Sequence, residues 1–129
     1  MSLQIVLIAS GAIAACFGAL FFVAADTAIR TFELGASDVA SRLFARSTGA
    51  GLIAIAVINV IASQDAGSGA LYAIVIGNLL LHVLAIAVDF TEKFPRKGGW
   101  WVGFAVHIVL ILAFGYYAIW WPGAAVPAA

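Results

Sequence analysis

Two histidines stand out among the few polar side chains inside the long apolar stretches of this sequence. His82 lies seven residues before Asp89, where one apolar stretch ends. His107 lies seven residues after Trp100, where the next apolar stretch begins. If both stretches are helices rising 1.5 Å per residue, each histidine lies about 10 Å below the same end of the pair. Adjacent antiparallel helices would then bring the two imidazoles face to face.

Such a pair is compatible with several kinds of chemistry. Two histidines at equal depth can hold a haem iron or another tetrapyrrole axially, and Gly103, one turn before His107, leaves space where a flat macrocycle can rest. A metal ion is a second interpretation, but beyond Asp89 no further ligand is evident, so no metal site is predicted. The pair can also relay protons, or only hydrogen-bond across helices or to a lipid headgroup.

A second polar set predicts a binding site for a lipid or another small ligand. Asn78, His82 and Asp89 recur at steps of four and seven, so they share one helix face. Arg42 and Arg46 open the preceding apolar stretch, where they can hold an anionic headgroup or pair with Asp89. Arg46 can also extend along the apolar surface to the interface.

Composition indicates the elements that must position these residues. The 129-residue chain is 65% hydrophobic and 9% charged, with no net charge. A soluble domain is closer to half apolar and a quarter charged, so lipid must cover much of this surface. The balanced charge argues against a nucleic-acid partner. Four stretches, each with at most one charged side chain, are long enough to cross a bilayer: 3–25, 43–62, 70–88 and 100–120.

These spans predict a single all-α domain over residues 1–129, a four-transmembrane-helix bundle with up-down topology. A short interfacial helix is expected between helices 1 and 2, capped by Asp26 or Thr27, running to Leu34 and terminated by Gly35. Ser37 is the expected cap of helix 2, and Asp38 can pair with Arg42 four residues later.

Small and polar residues inside the spans predict how the helices contact one another. Asn59 and Asn78 are expected to hydrogen-bond across helices. Close helix contacts are expected at small residues on the helix faces, namely Gly11, Ala14, Ala15, Gly18, Gly49, Gly51, Gly77 and Gly103.

The loops predict the orientation of the bundle. All six basic residues fall in or next to the first and third connections, at Arg30, Arg42, Arg46, Lys93, Arg96 and Lys97. Basic loops stay in the cytoplasm, so both termini are expected on the non-cytoplasmic side of a bacterial inner membrane.

Two short motifs resemble those of a known group of proteins. The opening of helix 2, Arg46-Ser-Thr-Gly-Ala-Gly51, and the Asn78-x-x-x-His82 segment of helix 3 resemble small four-helix bacterial inner-membrane proteins of the DoxX-like kind. The likeness covers most of the chain in layout. It implies an association with membrane redox complexes, and it carries over no catalytic residue.

Three functions follow as hypotheses. The sequence has no Ser-His-Asp set, phosphate-binding loop or Cys-x-x-Cys motif, so no catalytic residue is predicted. The first hypothesis is an accessory or assembly subunit packed against a larger respiratory or photosynthetic membrane complex, with lipid, other membrane proteins or further copies of the chain as partners. The second is a haem- or pigment-binding electron carrier that uses His82 and His107. The third is a binder or transporter of lipid or a small molecule.

Overall fold

The computed structural model describes residues 2–65, 68–90 and 99–120, except for the side chain of Asp89. All of the regular structure in these segments is helical, which confirms the predicted all-α class. The helices are α1 Leu3–Val23, α2 Ala25–Thr31, α3 Val39–Ala62, α4 Gly69–Asp89 and α5 Gly99–Ile119. The predicted loop with the basic residues Lys93, Arg96 and Lys97 lies outside the described residues.

Four of these helices match the predicted spans. Helices α1, α3, α4 and α5 are each long and apolar enough to cross a membrane. The helix that contains the second span begins at Val39, four residues before that span. The fold is therefore a bundle of four long apolar helices with one short helix, as in a multi-pass membrane protein.

The start of α3 differs from the prediction in which residue caps it. The Asp38 side chain accepts a hydrogen bond from the Ser41 backbone N–H at 2.7 Å, and the Ser41 hydroxyl accepts from the Asp38 backbone N–H at 2.9 Å. This reciprocal capping box makes Asp38 the cap, so the assignment of Ser37 was wrong. The Ser37 hydroxyl instead donates to the Asp26 carboxylate. Arg42 likewise lies 3.6 Å from Asp26 rather than forming the expected pair with Asp38.

Helix α2 ends earlier than predicted. It was expected to run to Leu34, but it stops at Thr31, and it begins at Ala25, before the expected caps Asp26 and Thr27. Glu33 adopts a left-handed conformation with φ 53°, and the Leu34 N–H bonds back to the Ile29 carbonyl at 2.9 Å. This is the Schellman arrangement, with Glu33 in the position that glycine usually takes. Gly35, at φ 102°, makes the next turn.

The long helices pack as two antiparallel pairs. Helix α1 runs along α3 for most of its length, α4 packs along α5, and contact between the two pairs is sparser. Gly18 and Gly49 mark the closest crossing of α1 and α3. A β-carbon at Gly49 would lie 2.5 Å from the backbone nitrogen of Phe22 and 2.7 Å from the carbonyl oxygen of Gly18. Only glycine fits this crossing.

The prediction of close contact at small residues is correct at some positions and wrong at others. An added β-carbon at Gly11 would lie 3.1 Å from the Ala56 carbonyl oxygen, so this glycine also permits close approach of α3. Gly51, Gly77 and Gly103 have nothing within 4 Å of such a β-carbon. These three glycines do not mark helix crossings.

One half of the interior is closely packed. We call it the packed half; it is a cluster of buried side chains from all four long helices, namely Val6, Leu7, Ala62, Leu71, Val75, Leu110, Phe114 and Tyr117. It lies at the end of the bundle where α1 begins and α3 ends. The short helix α2 lies at the opposite end, where Ala25 and Ile29 pack against Ala45 of α3.

Candidate functional site

A layer of polar side chains lies next to the packed half and joins three helices. The amides of Asn59 on α3 and Asn78 on α4 bond reciprocally, at 3.0 Å and 2.9 Å. Asn59 also donates to the Ser10 hydroxyl of α1 at 3.2 Å, and Asn78 donates to the Ile74 carbonyl at 2.9 Å. All three side chains are buried, and the predicted cross-helix bonding of both asparagines is confirmed. We call Ser10, Asn59 and Asn78 the polar layer.

The two histidines meet one turn beyond this layer. The Nδ1 atoms of His82 on α4 and His107 on α5 are 2.9 Å apart, and the ring centroids are 5.1 Å apart. A hydrogen bond between two imidazole nitrogens needs a proton on one and a lone pair on the other. The structure therefore joins the two side chains directly, as the equal depths of the residues in the sequence indicated.

The other nitrogen of His82 has a different environment. The His82 side chain is buried, with the residue 7% exposed, and its Nε2 has no hydrogen-bond partner within the described part of the chain. The His82 ring also stacks against the ring of Phe114, with the two ring centroids 6.1 Å apart. A buried polar atom without a partner costs about 1–3 kcal/mol, so a partner that arrives from outside the protein would be stabilised here.

A cavity of about 360 Å³ lies between the two helix pairs on the α2 side of the polar layer. We call this region the hollow half. His82 and His107 both line the cavity, and Ser10 reaches it from the polar layer. The rest of the lining is mostly apolar and rich in aromatic rings, contributed by Phe17, Phe21, Phe32, Trp100 and Phe104.

The aromatic rings that line the cavity form two groups. Phe32, just after α2, stacks on Phe21 of α1 with ring centroids 5.5 Å apart and contacts Phe17 at 5.8 Å. Trp100 and Phe104 of α5 stack with ring centroids 4.9 Å apart. Aromatic walls of this kind favour flat ring systems, which can stack or pack edge to face against them.

Segment 32–38, which we call the elbow, meets the start of α5 at the α2 end of the cavity. A β-carbon at Gly99 would lie 2.7 Å from the Thr31 carbonyl oxygen and 2.8 Å from the Phe32 ring. The backbone of α5 therefore approaches the end of α2 closely, and Phe32 lies between α1 and α5. The side chain of Leu34 also lines the cavity.

Gly103 lies on the cavity wall, one turn before His107. The empty space beside it is the interior of the cavity rather than the outside of the bundle. The sequence suggested that a glycine here leaves room for a flat molecule next to the histidine. The structure shows this space, since nothing lies within 4 Å of a β-carbon added at Gly103.

The predicted ligand set is only partly brought together. Asn78 and His82 lie on one face of α4, but Arg46 is exposed on α3 and does not line the cavity. Arg42 lies at the elbow, where it pairs with Asp26 and donates to the Ser37 carbonyl at 3.1 Å. Asp89 is the last residue of α4, and its side chain is outside the described part. Neither arginine reaches the histidine pair.

Sequence analysis missed two components of the site. Ser10 was not singled out, although a hydroxyl inside an otherwise apolar span usually bonds a neighbouring helix. The aromatic lining was not recognised either. Phe17 and Phe21 are four residues apart on α1, and Trp100 and Phe104 are four apart on α5. This spacing puts each pair on one helix face and was a usable signal.

The observed histidine pair does not fit a bis-histidine haem. Axial ligands lie on opposite faces of the macrocycle with the metal between them, so their nitrogens would be about 4 Å apart, twice a typical metal–nitrogen distance of about 2.0 Å. Here the rings bond directly at 2.9 Å through Nδ1, which leaves no room for a macrocycle between them. Within residues 2–65, 68–90 and 99–120, no three His, Cys, Asp or Glu side chains cluster as a metal site would require.

Comparison with models of known protein families, with curated proteins and with solved structures finds no match to this chain. The resemblance of the Arg46 and Asn78-x-x-x-His82 segments to DoxX-like proteins therefore stays a prediction.

Proposed function

We propose that this protein binds a small lipophilic molecule in the cavity of the hollow half, within the membrane. One observation carries the proposal: a cavity of about 360 Å³ with aromatic walls contains a buried histidine nitrogen that the described chain leaves without a hydrogen bond. Ligand sites are mostly apolar concavities of roughly 300–1,000 Å³ with a few placed polar groups. The cavity has this composition at the small end of that range.

The packing of the bundle supports an occupant. Without a strong hydrophobic drive between helices in lipid, transmembrane helices associate mainly through close packing. The α1–α3 pair uses glycine crossings for this purpose, and the packed half fills the interior with side chains. A large unfilled volume between the same helices gives up such contacts, and a bound molecule would restore them.

This proposal favours the third hypothesis from the sequence, in its small-molecule form. The accessory-subunit hypothesis remains a prediction based on short loops and small helix faces. The haem-carrier hypothesis loses its axial pair, because the two histidines bond each other directly. On the positive-inside rule, we further propose a bacterial inner-membrane location with both termini outside the cytoplasm and the elbow on the cytoplasmic side.

The experiment compares two glycine substitutions that differ only in where the new side chain points. Gly103→Leu places a leucine in the cavity, and Gly77→Leu places one on the exposed surface of α4; neither added β-carbon meets another atom within 4 Å. Each protein is purified in mild detergent and extracted with organic solvent, and the extract is analysed by mass spectrometry.

We expect the wild type and Gly77→Leu to carry the same non-bilayer lipophilic compound at near-stoichiometric amounts. Gly103→Leu should carry little of it, because the leucine fills the space. Equal extracts from all three proteins, with no compound enriched over the detergent and bulk lipid, would contradict the proposal.

A further inference from the structure

The environment of His82 specifies more about the ligand than its size. We infer that the bound molecule is a small flat ring carrying a hydroxyl or carbonyl oxygen, and that this oxygen bonds Nε2 of His82. The inference rests on the proposed function, since it names the chemical class of the occupant of the same cavity. It depends on the unpartnered nitrogen, the connection between the two imidazoles and the aromatic walls.

The oxygen is required because Nε2 of His82 is a buried polar atom on the cavity wall with no hydrogen-bond partner among the described residues. An apolar ligand would leave that nitrogen buried and unbonded, while one bonded oxygen removes the penalty. A charged ligand is excluded on similar grounds. Among the described residues, no arginine, lysine, aspartate or glutamate lines the cavity, so an ion would find no countercharge from this part of the chain.

The histidine pair explains why either kind of oxygen can bind. The two Nδ1 atoms are 2.9 Å apart, and a hydrogen bond between them needs one proton, which either ring can supply. If His107 supplies it, then Nε2 of neutral His82 carries a hydrogen and donates to a carbonyl or hydroxyl oxygen. If His82 supplies it, then Nε2 presents a lone pair and accepts from a hydroxyl. His107 is thus a positioning residue, because its hydrogen bond determines which tautomer of His82 meets the ligand.

The ring is required by the walls. Phe21 and Phe32 form one stacked pair, and Trp100 and Phe104 form another, and all four rings line the cavity. A flat ring gains contact with both, whereas a bulky globular molecule of the same size meets the edges of these rings less favourably. A cavity of about 360 Å³ limits the occupant to a ring system of modest size rather than a whole phospholipid.

The test uses three bicyclic probes of matched size that differ in one group: indane, 1-indanol and 1-indanone. Saturable binding to the protein in lipid nanodiscs is measured by titration calorimetry, with empty nanodiscs subtracted to remove partition into lipid. On the wild type we expect 1-indanol, 1-indanone or both to bind about tenfold more tightly than indane, the gain expected from one hydrogen bond in a buried site. If only 1-indanol gains affinity, Nε2 of His82 accepts the hydrogen bond. If 1-indanone gains affinity as well, Nε2 carries the hydrogen and donates it.

His82→Phe keeps a ring of similar shape and removes both nitrogens. In this variant the preference for the oxygenated probes over indane should disappear while indane still binds, which shows that the cavity is intact. 1-Adamantanol, which has a hydroxyl but is not flat, tests the shape and should bind more weakly than 1-indanol.

Each contrary outcome has a distinct meaning. If indane binds to the wild type as tightly as both oxygenated probes, the inference about His82 is overturned and the proposed function stands. If 1-adamantanol matches 1-indanol, the flat-ring part is overturned. If no probe binds saturably, both the inference and the proposed function fail. The wild-type comparison decides the question even if His82→Phe does not fold.

Discussion

The packed half and the hollow half are built from the same four long helices, and both are strongly apolar. In the packed half, large side chains from all four helices interlock, and Phe114 and Val75 are completely buried. In the hollow half, the two helix pairs stand apart, and small residues such as Ala14, Ala85 and Gly103 face the gap. How completely the side chains fill the space between the helix pairs, rather than hydrophobicity, therefore distinguishes the two regions.

The polar layer forms the boundary between the two regions. Its hydrogen bonds link α1, α3 and α4 at one depth, where the two helix pairs are held together. Beyond this layer contact between the pairs decreases and the cavity begins. A hydrogen-bonded layer with close packing on one side holds the helices in position. The region on the other side can then bind a ligand without having to hold the helices together.

The largest expected effect comes from removing one aromatic ring from each region. Phe114→Ala deletes a fully buried ring of the packed half and should lower the free energy of unfolding by about 3–5 kcal/mol. Phe104→Ala deletes a partly buried ring that already borders empty space, so its cost should be less than half of that. Reversible unfolding in mixed detergent, followed by circular dichroism, measures both. Equal losses would show that the hollow half is as well packed as the other.

The next largest effect concerns two glycines. Gly49→Ala adds a methyl group where the backbones of α1 and α3 nearly touch, and should cost about 1–3 kcal/mol through overpacking. Gly103→Ala adds the same methyl group to the cavity wall, where nothing lies within 4 Å. It should be neutral or gain up to about 1 kcal/mol from the better helix propensity of alanine. The same unfolding assay applies, and a destabilised Gly103→Ala would mean that the cavity wall is closed in solution.

The polar layer provides a third effect of intermediate size. Asn59→Leu leaves the buried amide of Asn78 without its reciprocal partner and should cost about 1–2 kcal/mol. Replacing both asparagines by leucine removes the unsatisfied group and should recover part of the loss. A double-mutant cycle on the unfolding free energy measures the coupling. Additive losses would show that the two amides do not act together.

These contrasts show how much of the molecule could be predicted from the sequence. Apolar stretches of about 20 residues, each with at most one charged side chain, located the four long helices, since length and hydropathy suffice for that purpose. Counting seven residues from Asp89 and from Trp100 placed His82 and His107 at the same depth, because the rise per residue of a helix is fixed. Both results depend on regular geometry within one helix or between neighbouring helices.

The cavity and the elbow could not be predicted in this way. A void depends on the summed volumes of side chains from four helices and on the crossing at Gly18 and Gly49, and no single segment contains that information. The end of α2 was misplaced because Glu33, rather than glycine, takes the left-handed position. The pairing of Arg42 with Asp26 instead of Asp38 likewise follows from the path of the elbow, which brings residues distant in sequence together.

The smallest expected effect is a pH dependence at the elbow, which adjoins the hollow half only. The hydrogen bond from the Ser37 hydroxyl, aided by the charges of Arg42 and Arg30, lowers the pKa of the Asp26 carboxyl below its ordinary value of 3.8. A lowered pKa in the folded state means that the carboxylate contributes stability above pH 3.8 and loses it as the pH falls through the lower folded value. The group is fully exposed, so the contribution is small.

Unfolding midpoints of the wild type and Asp26→Asn, measured from pH 6 down to pH 3, should therefore converge at the acidic end. Asp38, whose pKa is lowered mainly by its hydrogen bond from the Ser41 backbone, titrates in the same direction in both proteins and cancels in the difference. If the elbow closes the cavity, loss of the Asp26 contact should also speed the dissociation of 1-indanol. It should not change the packed half, so Phe114→Ala should lower the free energy of unfolding by the same amount in Asp26→Asn as in the wild type. If the difference between the two unfolding midpoints stays constant across the pH range, the Asp26 contact does not contribute to the stability of the hollow half.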